Sequence, residues 1–160
     1  MRTFMMAIVA ALPLLGLGCG ATTRTTAGVQ SPALPSLSSA TVTFISREHG
    51  KDKDSGLTVQ VMRPNAELVG DVNATGIKFD DNSSSGPFVV SIRGPFTTSD
   101  VDDGQVRIRL VPDGQDDWTF DMHLTMQFSD GTSRNFTWRG VRLDNANPER
   151  VLALAPARIQ

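Results

Sequence analysis

The chain has 160 residues, 39% of them hydrophobic and 20% charged, with a net charge of -2 at neutral pH. That composition excludes a disordered acidic tail as its main content, and it lacks the basic excess of a nucleic-acid surface, so nucleic acid is not an expected partner. A single cysteine excludes an internal disulfide and any multi-cysteine metal cluster.

The chain begins MRTFMMAIVAALPLLGLGC, with Arg2 near its start and no charge from Phe4 to Leu17. An apolar run of roughly 14 residues is short for about 30 Å of hydrocarbon and fits a signal peptide, assigned to residues 1–18. Leu15-Gly16-Leu17-Gly18-Cys19 resembles the lipobox of bacterial lipoproteins. Gly18 and Cys19 match that pattern, whereas Gly16 stands where leucine is commoner. The resemblance implies cleavage before Cys19, lipidation of its thiol and acylation of the new amino group. At about 0.8 kcal/mol per buried methylene, several acyl chains hold a protein firmly on a membrane. Gly20, in place of an aspartate, implies sorting to the outer membrane of the cell envelope. In that setting the glycosylation sequons at Asn73, Asn82 and Asn135 are expected to be silent.

Thr, Ser, Ala, Gly and Pro dominate from Gly20 to Ser39, with no hydrophobic period. Such a segment buries no core and acts as a flexible spacer, so residues 19–39 read as lipidated cysteine and tether. Roughly 20 residues of this kind reach about 25 Å on average.

Residues 40–160 are left for one domain, and its signal is period two. Leu57, Val59 and Val61 alternate with polar residues, as do Phe88, Val90 and Ile92, and then Val106, Ile108 and Leu110. Trp118, Phe120, Met122, Leu124, Met126 and Phe128 make the longest run, with Asp121 and His123 on its other face. A helix would scatter those apolar residues around its circumference, so a half-buried strand is expected. Pro112-Asp113-Gly114 and Asp130-Gly131 each read as a hairpin turn. Across the first of these, Arg107 and Arg109 are expected to face Asp121 and His123. The apolar phase slips between Trp138 and Val141, and Gly140 predicts a bulge there. Thr98 to Gly104 fits one helical turn capped by Ser99, and Val151 to Leu154 closes the sheet. The expected fold is all-β, an antiparallel β-sandwich of about eight strands.

Candidate chemistry is sparse. His49 lies in a loop and His123 on a polar strand face, with no zinc-ligand spacing around either. There is no Gly-x-Ser-x-Gly elbow and no phosphate loop, and the carboxylates lack a visible opposed pair, so no enzyme is expected. Trp118 and Trp138 share the apolar phase of their strands, which favours core packing over sugar stacking. Acidic loops are the remaining feature, at His49–Gly56, Asp80–Asn82, Asp100–Asp103 and Asp113–Asp117. Oxygen donors gathered at one end of a sandwich suit Ca²⁺, although Asp, Asn and Gly are also ordinary turn residues. The EF-hand pattern itself fails, since Gly56 comes too early and no glutamate closes the loop.

Gly50 to Val61, Gly86 to Ile92 and Gly104 to Leu143 together resemble the PLAT/LH2 domain. The resemblance lies in an acidic loop leading into Leu57-Thr58-Val59-Gln60-Val61, then in Gly104-Gln105-Val106-Arg107-Ile108-Arg109, Asp113-Gly114 and Asp117-Trp118. It departs where Asp54-Ser55-Gly56 replaces the family's Gly-Thr-Asp. The resemblance implies a sandwich that binds a lipid surface or a partner protein, in some members through loop Ca²⁺. Carried over by position, the metal candidates are Asp52, Asp54, Asp80 and Asp81. The sequence thus points to a membrane-anchored, non-catalytic binding or accessory module. A structural envelope lipoprotein without a ligand and a small hydrolase are the rival classes.

Overall fold

The computed structural model describes residues 33–155; Cys19, the signal segment and most of the tether lie outside the described residues. Among them are nine strands and one helical turn. The strands are β1 (Leu37–Ser46), β2 (Gly56–Met62), β3 (Leu68–Asn73), β4 (Ser84–Val89), β5 (Ser91–Ile92), β6 (Gln105–Val111), β7 (Asp117–Phe128), β8 (Ser133–Asp144) and β9 (Glu149–Ala153). The turn is α1 (Thr98–Val101). One sheet runs β4-β1-β7-β8 and the other β5-β3-β2-β6-β9. All pairings are antiparallel, and the two sheets pack as a sandwich.

β1 begins inside the stretch read as tether. Leu37 to Ser39 are strand residues, and Leu37 pairs with Phe128. Backbone pairing with β7 offsets the weak strand preference of a serine-rich start.

The longest alternating run forms as expected. From Trp118 to Phe128 every second side chain of β7 is buried, and β7 lies between β1 and β8. Trp118 is fully buried, stacked 5.1 Å from Phe79 and 3.9 Å from Phe120 between ring centroids. Its indole Nε1 donates to Ser46 Oγ at 3.0 Å, so the one polar atom of the ring is satisfied inside the core. Phe44 from β1 completes the cluster, 5.4 Å from Trp118. From the second sheet, Leu57, Val59, Val61, Val106, Ile108 and Leu110 meet this face, all essentially without exposure.

Turn chemistry holds at Asp130-Gly131, where Gly131 N donates to Phe128 O and closes the β7–β8 hairpin. The bulge at Gly140 also forms. Phe120 pairs with Val141 but Met122 with Trp138, so one extra residue is inserted in β8. Gly140 has φ +61, where a side chain would be strained, and its N–H donates to Asp121 Oδ1 at 2.8 Å. A fork from Arg47 reaches the same carboxylate, at 2.9 and 3.0 Å.

The structure corrects three local expectations. Pro112-Asp113-Gly114 does not turn a hairpin, because β6 and β7 belong to different sheets. The segment crosses between layers instead. Ser55 Oγ and Asp113 N donate to Asp116 Oδ2, while Asn145 Oδ1 accepts from Asp116 N. Arg107 therefore never meets Asp121; it lies 3.5 Å from Glu149 of β9, and His123 Nδ1 pairs with Thr137 Oγ1. The Phe88–Val90–Ile92 run keeps its alternation but changes sheet at Val90, so it forms two edge strands, β4 and β5. Finally, α1 is capped by Thr97, whose N–H and hydroxyl donate to Asp100 Oδ2 at 2.7 and 2.9 Å; Ser99 lies inside the helix.

Trp118→Ala removes the ring that joins Phe44, Phe79 and Phe120, and is expected to cost about 3–5 kcal/mol of stability. Equilibrium urea denaturation checks this; a loss below about 1 kcal/mol would show that the cluster does not organise the core.

Candidate functional site

Three of the acidic loops, at 49–56, 80–82 and 113–117, lie at the end of the sandwich where the aromatic cluster lies, whereas 100–103 precedes β6 at the opposite end. Lys51 and Phe79 form an isolated bridge, Lys51 N to Phe79 O at 3.0 Å and Phe79 N to Lys51 O at 2.9 Å. That bridge draws the Lys51 side chain inward, to 1% exposure. Its Nζ donates to the carbonyls of Asp52 and Ile77 at 2.7 and 2.8 Å and lies 5.5 Å from the Phe79 ring centroid. Burial pushes the Lys51 ammonium below its ordinary range, and Asp116, Asp52 and Asp54 offset part of that by attraction. Ser55 and Asp116 are buried beside this loop and bonded at 2.6 Å. A satisfied polar plug therefore closes this end of the core.

The four sequence-chosen carboxylates do not converge. Asp52, Asp80 and Asp81 line one shallow pocket with Gly50, Lys78 and Phe79, whereas Asp54 lines another with Lys53 and Gly76. Asp81 Oδ1 accepts from Gly50 N at 2.5 Å, and Asp80 Oδ1 holds Lys78 Nζ at 2.7 Å. Among the described residues no three His, Cys, Asp or Glu side chains are placed to hold a metal ion. Three of the other acidic positions are engaged in the fold: the Asp100 carboxylate accepts from Thr97, the cap of α1, Asp116 braces the crossing segment, and Asp117 takes a fork from Arg142 at 2.8 Å. His49 and Asn82 adopt φ +64 and +51 at neighbouring turns, which is turn geometry.

A different place is left uncovered. β8 and β9 are the last strands of their respective sheets. Phe136 and Trp138 stack at 5.9 Å and 15° between them, and both remain only partly buried. They and Arg134 share the inward phase of β8, opposite Leu124, Met122 and Met126. Ala153 and Ala155 line the other side of the groove. Among the described residues, nothing larger than these small side chains faces the aromatic rings from that side. The groove holds about 480 Å³, within the range of ligand clefts.

The two tryptophans thus part company. Trp118 is core, as its phase implies, but Trp138 carries the same phase on an edge strand and is only partly buried. In the sequence Phe136 reads only as a strand residue in phase with Trp138, and Lys51 is hidden among its acidic neighbours. The pair Phe136-x-Trp138 followed by a small-residue final strand is the signal that could have found the groove.

Comparison with protein-family models, with curated proteins and with solved structures finds no match in any of the three.

Two outcomes follow from this geometry. Millimolar Ca²⁺ against EDTA is expected to leave the melting temperature unchanged. Binding at about 100 times the dissociation constant would add roughly 2.7 kcal/mol; a rise of several degrees, abolished by Asp52→Ala or Asp80→Ala, would instead make the acidic loops a cation site. For Lys51 the folded pKa lies below the unfolded one, so the unfolded chain binds more protons between them. Stability is therefore expected to rise with pH through the window that ends near the ordinary lysine value of 10.5. Lys51→Met should flatten that rise in denaturation curves taken at successive pH values; an unchanged slope would assign it to other groups.

Proposed function

We propose that this chain is a lipoprotein of the cell envelope, anchored through Cys19, whose β-sandwich is a non-catalytic binding or accessory module. The observation that carries the binding role is the stacked Phe136–Trp138 pair in the groove between β8 and β9. Aromatic rings held at fixed spacing and partly exposed to water form a surface that gains free energy when a ligand or partner covers it. A few polar groups around such rings supply orientation, and Arg134 and Thr137 border this groove.

The anchor reading is supported by the Leu15-Gly16-Leu17-Gly18-Cys19 segment and by the polar residues that follow it. The compact unit of the domain begins at Ala33, which leaves the 13 residues 20–32 after Cys19 as spacer. Gly20 after the cysteine supports the outer membrane as the destination. The resemblance to the PLAT/LH2 domain supports a protein or lipid surface as the class of partner. Calcium assistance draws on that resemblance alone, since Lys78 and Gly50 already engage Asp80 and Asp81.

Metabolic labelling with an alkyne fatty acid in a Gram-negative host tests the anchor. The full chain is expected to take up label and fractionate with outer membranes, and Cys19→Ala to lose both. An unlabelled wild-type chain, or a labelled Cys19→Ala variant, would remove the lipoprotein reading.

A further inference from the structure

We infer that the groove receives an extended acidic peptide segment, which joins the free edge of β8 as a fifth strand of the four-stranded sheet. This rests on the binding-module reading and names the partner that module takes.

The first argument is the edge. Phe128 N donates to Thr132 O, which fixes the hydrogen-bond alternation along the β7–β8 hairpin. Arg134, Phe136 and Trp138 then exchange backbone bonds with Met126, Leu124 and Met122. Ser133, Asn135 and Thr137 direct their N–H and C=O groups away from β7, and all three residues are exposed. No strand among the described residues occupies that side. At the far edge of the same sheet, β4 has six residues and contains Pro87, and β5 of the other sheet has only two. Short strands and proline blunt an edge. The twelve-residue β8 has no such protection before the bulge at Gly140, so 133–138 is the open run.

The second argument is how an added strand would lie. Its alternate side chains would fall over the uncovered Phe136 and Trp138 rings, and the intervening ones would stand beside Asn135 and Thr137. Main-chain bonds to the edge supply affinity and the aromatic groove supplies selection.

Charge completes the case. Arg134, on the inward face beside the rings, and Arg139, on the outward face, bracket the open run, and like Arg109 and Arg150 neither has a carboxylate within salt-bridge reach among the described residues. Residues 1–32 and 156–160 contain no Asp or Glu, so no acidic side chain of this chain is left over for them. The complement is an acidic strand. A second copy fits less well, because antiparallel β8–β8 pairing about Asn135 would make the two Arg134 side chains diagonal neighbours on one face.

The test uses the purified full chain, a nine-residue peptide alternating valine and glutamate, its valine–lysine counterpart, and a valine–glutamate peptide N-methylated at alternate amides. The valine–glutamate peptide is expected to bind saturably and to protect the Asn135 and Thr137 amides from hydrogen exchange. Charge reversal or N-methylation of the peptide should weaken binding at least about tenfold. Arg139→Glu, on the outward face where the peptide's charged residues stand, should reverse the preference toward the valine–lysine peptide. Equal binding of the N-methylated peptide, protection at other amides, or no peptide binding would each overturn the assignment. So would a concentration-dependent dimer that protects Asn135 and Thr137 without peptide. If an oligosaccharide shifts the Trp138 indole resonance where peptides do not, the peptide assignment falls and the binding module stands. If neither ligand acts on the groove, both fall.

Discussion

The sandwich depends on the burial of one face of β7. Its six apolar side chains from Trp118 to Phe128 occupy the middle of a four-stranded sheet and meet β2 and β6 across the core. A strand with neighbours on both sides satisfies every backbone group along its length, so period-two burial can extend without polar cost. Trp118 anchors one end of that face, and its bond to Ser46 ties β7 to β1 through a side chain as well as through the ladder. Register follows from this, because a one-residue slip would turn six apolar groups to solvent.

The periphery of the core is finished in two contrasting ways. At the loop end, Lys51, Ser55 and Asp116 are buried with their polar atoms bonded, which closes the core at an electrostatic cost that Lys51 bears through its lowered pKa. Acidic residues there serve as braces and ion-pair partners. On the β8–β9 flank the finish is apolar and incomplete, because Ala153 and Ala155 cannot cover Phe136 and Trp138. The buried polar groups of the plug are bonded to one another and to backbone carbonyls, while the flank keeps exposed aromatic contact surface. This division is why the proposed partner is placed on the flank and not on the loops.

The bulge at Gly140 links these features. It lets β8 keep Val141 and Leu143 in the core after the phase slip, and it presents the Gly140 N–H to Asp121. It also ends the regular edge just beyond Trp138, which limits strand addition to the half of β8 that borders the groove. The Arg47 fork holds the Asp121 carboxyl below its usual range, with the Gly140 amide adding to the effect, so the bulge is fixed by a charged acceptor.

Period two and turn chemistry determined much by themselves: the all-β class, the buried face of β7, the strands at Leu57–Val61 and Val106–Leu110, the Asp130-Gly131 hairpin and the Gly140 bulge. These are local consequences of backbone geometry, and a side-chain period of two is legible wherever one face is buried. Only tertiary structure decided which strands share a sheet. Pro112-Asp113-Gly114 has hairpin residues yet crosses between layers, because the bonds that fix it come from Ser55 and Asn145, both remote in sequence. Trp118 and Trp138 have the same local pattern, and their fates differ because β7 has two neighbours and β8 has one. Asp52, Asp54, Asp80 and Asp81 look equivalent as a string, but Lys78 and Gly50 take up two of them and Asp54 lies in a different pocket from the rest. Composition specifies which groups could bind; the partners that the fold brings to each group decide which of them are still available.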